Sequence, residues 1–429
     1  MKTEDKWDKS KANRIEKGLA ELVYRSNLLG SDRGVANWGG GNTSMKTTMK
    51  DNQGQDIEIM WVKGSGSDLG TMNGENFTAL RLNDIKPLVN REEMSDEEMV
   101  AFLSQCMVDS NHPRSSIETL LHAFLPFIHV DHTHPDAIIG ICCADNGKEI
   151  AKEIFGNRFV WVPYVRPGFR LSKLIYEEVS KNPKAELVLM EKHGLVAWGE
   201  TSERSYEKTI QFIQEAEAYI NEKRKKKDLF GGNKYKTLNL KEKEAAIQEI
   251  LPVISEMGNK EKKVTLTFDD SVDVLTFVNS NEALVLSQSG PACPDHLIHT
   301  KRLPLYINWN PQNETGKELL VKIRKGLDEY KEEYQAYFNK NKNERDQISD
   351  TFPRVILIPG IGMVNTGKND SSARLSGDLY KRAISVMAAT TSIGYFFSLN
   401  EKESYDVEYW PLELYKLSFG ANKKKSLDE

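Results

Sequence analysis

The stretch Ile128-His129-Val130-Asp131-His132-Thr133-His134-Pro135 constrains this chain more than any other. Branched and aromatic apolar residues precede it and Pro135 withholds a backbone donor, so it predicts a strand that stops at the proline. Side chains alternate along a strand, which puts His132 and His134 on one face and His129, Asp131 and Thr133 on the other. Two imidazoles on one rigid face suit adjacent positions of a metal ion. The competing reading is a pair of solvated or internally satisfied histidines, and His-x-His alone does not choose between them.

With 429 residues there is room for two or three domains, each with its own core. Apolar residues at 39% and charged residues at 28% fit a soluble globular protein, and a formal charge of −5 gives no basic footprint for nucleic acid or membrane. No run reaches transmembrane length, and residues 1–10 are charged where a signal peptide would be apolar. Four cysteines, with Cys142 and Cys143 adjacent, make neither a disulfide framework nor a Cys-x-x-Cys metal spacing, which points to the cytoplasm.

Apolar residues at helical spacing over 11–29 predict a first helix closed by Gly30. Trp38-Gly39-Gly40-Gly41-Asn42-Thr43-Ser44 then reads either as a phosphate-cradling loop or as a Gly-rich turn into a strand over 44–49. Alternation at Ile57, Ile59 and Trp61 predicts a second strand, ending in the small-residue turn Lys63-Gly64-Ser65-Gly66-Ser67. Ser95-Asp96-Glu97-Glu98 is a capping box for a helix reaching about Met107. Ser115 or Ser116 is expected to cap another, with Glu118 in its first turn and His122 one turn on along the same face. Glu118 either complements the helix dipole or reaches the histidine cavity, and His122 is a rival ligand. Tyr164 and Arg166 sit in a proline-shaped loop, 163–168. Over 187–199 a strand, a bend at His193-Gly194 and a second strand are expected, followed by a helix from Thr201 to about Lys227. Gly231-Gly232-Asn233 marks a domain boundary, dividing the chain into 1–235 and 236–429.

Gly41-Asn42-Thr43-Ser44, Ser116-Ile117-Glu118, His132-Thr133-His134 and Lys192-His193-Gly194, in that order, resemble the class II aldolase/adducin family. Each piece is short; four in order across half the chain are specific. The resemblance implies an α/β fold, a central, mainly antiparallel sheet flanked by helices, in a homo-oligomer, expected to be a tetramer. It implies one zinc ion per chain, or another divalent transition metal, held by His132, His134 and His193, with Glu118 as acid/base. It further implies phosphate contacts from Asn42, Ser65, Gly66 and Ser116, and a proton-donating Tyr164 presented to a neighbouring subunit. Some members have two serines immediately before the glutamate; here Ile117 intervenes, which puts a phosphate role for Ser115 in doubt.

In the second half, 290–296, 359–362 and 406–413 resemble the aldolase portion of bifunctional rhamnulose-1-phosphate aldolase/dehydrogenase proteins. The dehydrogenase part is expected to be absent, because no dinucleotide-type glycine pattern follows residue 413. Independently, 355–367 lines up without gaps on 187–199, with Ile361 where His193 stands. Cys293–His299 can be laid on Ser116–His122, and Asn308–Pro311 on His132–Pro135. The region 236–429 thus reads as a degenerate, metal-free copy, with chance likeness between strand-turn-helix segments as the alternative. The expected activity is metal-dependent cleavage of L-rhamnulose 1-phosphate to dihydroxyacetone phosphate and L-lactaldehyde, in rhamnose catabolism. Another sugar-phosphate aldolase, a pentulose-phosphate epimerase and a non-catalytic adducin-like scaffold are the alternatives.

Overall fold

The computed structural model describes residues 2–259 and 263–414, so the end of the 236–429 region lies outside the described residues. The chain forms two compact units, the first built from residues up to 142 and 146–221, the second from 143–145 and 222–413. Among the described residues, no helix is long and apolar enough to cross a membrane.

The first unit is organised on a seven-stranded sheet. Its strands are β1 (Asn42–Lys50), β2 (Asp56–Lys63), β3 (Phe77–Arg81), β4 (His129–Thr133), β5 (Phe159–Val162), β6 (Leu187–Met190) and β7 (Gly194–Gly199). They lie in the order β3-β2-β1-β4-β7-β6-β5, every neighbouring pair antiparallel except the parallel pair β5 and β6. The mainly antiparallel sheet flanked by helices is therefore as expected. β4, β6 and β7 are buried at every position, the sign of strands covered on both faces. Val130, Val188, Val196 and Trp198 pack against Leu171, Ile175 and Val179 of the helix Phe169–Lys181.

Two helix starts differ from expectation. The first helix is interrupted: a turn at Lys9–Ala12 is followed by Leu19–Gly30, with Gly18 at φ 97 between them. A residue in that conformation cannot continue a right-handed helix. The second begins later than Ser115 or Ser116, as Thr119–Phe124, with Glu118 at the N-cap position. Tertiary bonds hold the serines out of the helix: Ser115 bridges Gly64, and Ser116 N–H donates to the Lys63 carbonyl at 3.1 Å. The capping box at Ser95, by contrast, starts the helix Asp96–Gln105 as read.

The second unit carries β8 (Thr265–Asp269), β9 (Leu305–Tyr306), β10 (Val355–Ile358) and β11 (Gly362–Gly367) in the order β8-β11-β10-β9. This repeats the order β4-β7-β6-β5, antiparallel, antiparallel, then parallel. The registers agree as well. Val188 faces Val196 as Ile356 faces Val364, and Thr133 faces Leu195 as Asp269 faces Met363. The long helices Ser202–Arg224 and Asp370–Ile393 follow the two hairpins. The other two overlays need correction. β8 stands where β4 does, so Phe268 and Asp270 occupy the positions of His132 and His134, whereas 308–311 follow β9 outside any strand. The helix Pro294–Thr300 comes after β8, while Thr119–Phe124 comes before β4, so these helices do not correspond. Backbone pairing decides such matches; short polar motifs without it do not.

Candidate metal centre

β4 holds His132 on the sheet face away from His129 and Asp131, as its alternation requires, and His134 follows directly after its last residue, Thr133. His193 is brought to them by the turn between β6 and β7, where Lys192 takes φ 51 and His193 N–H donates to the Met190 carbonyl at 3.1 Å. Gly194 lets the turn pack down: a Cβ there would lie 2.5 Å from the Thr133 carbonyl and 2.8 Å from the His134 ring. On the other side Gly41, at φ 65, lets β1 meet β4; its Cβ would lie 2.6 Å from the His132 carbonyl. Asn42 is thereby paired directly across from His132.

The result is a group of three buried imidazoles whose ligand atoms all lie within 4.8 Å of one another. His132 Nδ1–H donates to the Leu195 carbonyl at 2.9 Å, which leaves Nε2 as a bare lone pair. That lone pair faces His134 Nε2 at 2.9 Å and Glu118 Oε2 at 3.2 Å. Glu118 Oε1 lies 3.3 Å from His193 Nε2. Four electron-rich atoms converging in a buried space fit a divalent cation, which satisfies them together, and nitrogen with one carboxylate suits zinc among others. Burial opposes ionisation of Glu118, yet the His132 and His193 rings beside it hold its carboxyl well below the usual range. Burial lowers His193 to about 4, so it is neutral and able to ligate near neutral pH.

His122 is not part of this group. Its Nδ1 meets Ser44 Oγ at 2.7 Å and its Nε2 meets Asn42 Oδ1, so both ring nitrogens are taken. The Asn42 amide nitrogen in turn donates to Glu118 Oε2 at 2.9 Å and to Ser116 Oγ at 3.1 Å.

Of the four residues expected at a phosphate, Asn42 and Ser116 lie beside the imidazoles through Glu118, while Ser65 and Gly66 lie in the turn that follows β2. Ser65 N–H donates to the Arg114 carbonyl at 2.8 Å, which draws the Ser65-Gly66 turn, with Gly66 at φ 79, against the segment carrying Ser116. The Ser65 hydroxyl is buried with no hydrogen-bond partner in this structure. Sequence reasoning missed Lys63. It ends β2, is 3% exposed, and its ammonium donates to the Gly39 carbonyl at 3.0 Å, placing a buried cation against the glycine loop. Asp68 pins the same loop by accepting from Gly39 N–H at 3.0 Å while paired with Arg33 at 2.8 Å. The only signal in the sequence was a lysine closing the strand-end run Trp61-Val62-Lys63-Gly64. Tyr164 lies in its loop with its N–H directed to Glu191 at 3.3 Å and its ring 5.3 Å from the Lys192 ammonium.

Two family models cover most of the chain: the class II aldolase and adducin N-terminal domain matches residues 20–220, and the class II aldolase second domain matches residues 242–417. The uncharacterized oxidoreductase YuxG of Bacillus subtilis (strain 168) is 63% identical over 412 residues, 96% of this chain and 60% of that protein. The present chain therefore spans about three fifths of the length of that curated relative. Among solved structures, the N-terminal class II aldolase domain of a conserved Thermoplasma acidophilum protein is 37% identical, covering 51% of this chain and all of that one, with a TM-score of 0.48. A sugar-phosphate aldolase from Thermotoga maritima is 14% identical over 47% of this chain and 93% of that one, with a TM-score of 0.37.

Proposed function

Because the chain belongs to the class II aldolase and adducin family, we propose that it is a zinc-dependent lyase that reversibly cleaves L-rhamnulose 1-phosphate to dihydroxyacetone phosphate and L-lactaldehyde. The observation that carries this reading is the convergence of His132, His134 and His193 on the ionised Glu118 carboxylate. A scaffold gains nothing from burying such a group, since unpaired polar atoms and charges are costly to desolvate.

His132, His134 and His193 would hold one ion per chain, which supplies Lewis-acid stabilisation of the negative charge that develops on the substrate oxygen. The chain's own groups do the rest. Lys63, the Ser65 hydroxyl and the Gly66 N–H bind the phosphate dianion and orient the ketose. The bond between C3 and C4 breaks, the C4 hydroxyl loses its proton as the aldehyde forms, and the bonding pair stays with C3 as an enediolate. Glu118 delivers a proton to C3, completing dihydroxyacetone phosphate, and removes it in the synthetic direction. Tyr164 is the proposed proton carrier at the C4 oxygen. Asn42 orients the Glu118 carboxylate through the 2.9 Å bond and Ser116 supports that amide. A cytoplasmic homotetramer is part of the proposal, and so is the reading of 236–429 as a copy of the first unit's strand core with Phe268, Asp270 and Ile361 at the three histidine positions.

The test is cleavage of L-rhamnulose 1-phosphate, L-fuculose 1-phosphate and a pentulose 5-phosphate by purified protein of measured metal content. The expected outcome is about one divalent ion per chain and fastest release of dihydroxyacetone phosphate from L-rhamnulose 1-phosphate, abolished by chelation and restored by metal. Accumulation of an epimerised pentulose phosphate instead would assign the site to an epimerase, and activity that survives complete metal removal would end the metal-dependent reading.

A further inference from the structure

We propose that His122 is a positioning residue for the acid–base carboxylate, acting through Asn42 and held in turn by Ser44. The proposal rests on the reading of Glu118 as acid/base. An asparagine amide is nearly symmetric in shape, and its two ends are opposite in hydrogen bonding. If the Asn42 oxygen faced Glu118, two acceptors would oppose each other in a buried site; if the nitrogen faces it, the carboxylate gains a donor. His122 decides between these. Asn42 Oδ1 can only accept, so His122 Nε2 carries the proton and donates to it, and Nδ1 in turn accepts from Ser44 Oγ–H across 2.7 Å. Both amide hydrogens are then directed to Glu118 Oε2 and Ser116 Oγ, at 2.9 and 3.1 Å.

Each link is shielded from water, which would otherwise scramble such a choice: Ser44 and His122 are 0% exposed and Asn42 2%. The elements are rigid. Ser44 and Asn42 lie two residues apart on one face of β1, and His122 is on the helix that starts directly after Glu118. The hydrogen bonds described for His122 go to Asn42, to Ser44 and, through its carbonyl, to the Lys46 ammonium. A group that orients a catalytic group by one removed hydrogen bond typically contributes about 10- to 100-fold.

His122→Leu removes the donor at similar volume, and His122→Gln retains an N–H near the position of Nε2. The readout is solvent-deuterium exchange into the carbon-bound hydrogen of dihydroxyacetone phosphate, followed by NMR on metal-loaded full-length protein, with Glu118→Gln alongside. The expected result for His122→Leu is one ion per chain, an unchanged KM for dihydroxyacetone phosphate and a kcat for exchange lowered about 10- to 100-fold. His122→Gln should recover much of that loss, and His122→Leu should cause no further loss in a Glu118→Gln background. Ser44→Ala, a smaller deletion, should lower kcat in the same direction; it decides the matter if His122→Leu misfolds or loses metal. Wild-type exchange by Glu118→Gln would overturn the acid–base reading itself. Slow exchange by Glu118→Gln together with wild-type exchange by His122→Leu, or by Ser44→Ala where His122→Leu does not fold, would overturn the positioning role alone. Equal losses in His122→Leu and His122→Gln, or additive losses with Glu118→Gln, would also overturn it.

Discussion

Arg25→Met should expose how much the metal-bearing strand depends on a charge buried behind it. Arg25, on the helix Leu19–Gly30, is 0% exposed and lies 2.9 Å from Asp131, the residue just before His132. It also meets His129 Nδ1 at 2.7 Å, Ser202 Oγ at 3.2 Å and the Ser44 carbonyl at 2.8 Å, tying β4 to β1. Methionine preserves most of the stem and removes every one of these bonds. Asp131 is then left buried with Ser205 and Thr209 as its side-chain partners among the described residues, at 2.7 and 3.4 Å. Stranding one partner of a buried pair costs about 3–5 kcal/mol, against a total of roughly 5–15 kcal/mol for a whole domain. For a unit of this size that corresponds to a fall in Tm of roughly 6–20 °C. The loss should depend on pH with a definite sign. Burial already raises the Asp131 carboxyl despite Arg25, and removing the cation raises it further. The folded variant then keeps a proton that the unfolded chain releases, so it loses stability as the pH rises above the ordinary carboxylate range. Calorimetry across that range on Arg25→Met and on Arg25→Met/Asp131→Leu is the assay, and the double variant should recover most of the loss. A single variant within about 1 kcal/mol of wild type, or a loss that does not shrink toward acid pH, would refute the reasoning.

His193→Ala should lose the bound ion, whereas His129→Ala should retain it, since His129 faces Arg25 on the opposite side of β4; metal analysis after dialysis distinguishes them. Lys63→Met should raise KM for a sugar phosphate at least about tenfold while the ion stays bound, because a buried charge-assisted contact to phosphate is lost; unchanged KM would remove Lys63 from the phosphate site. Metal-free protein should lose stability as the pH falls from about 6.5 toward 4: burial lowers His193 to about 4 in the folded chain, so the unfolded chain takes up the proton first. A denaturation midpoint that stays flat over that interval would contradict it.

Local features of the sequence carried a good part of this structure. The period of two put His132 and His134 on one side, the strand stopped at Thr133 just short of Pro135, and Ser95 with Glu98 started a helix, because each depends on neighbours within a few residues. The hairpins over 187–199 and 355–367 were legible for the same reason. Long-range pairing decided the rest. Glu118 stands at the head of its helix because Ser115 and Ser116 are bonded to the end of β2, more than fifty residues earlier in the chain. Lys63 became a buried cation through that same junction, and His122 turned from a rival ligand into Asn42's partner because β1 runs beside β4. The likeness of 308–311 to the histidine strand gave way to β8, whose register with β11 no local motif encodes. Sequence alone sets what a residue can do and which way a strand presents it; which distant groups it meets is set by backbone pairing and burial, and these exist only once the chain has closed on itself.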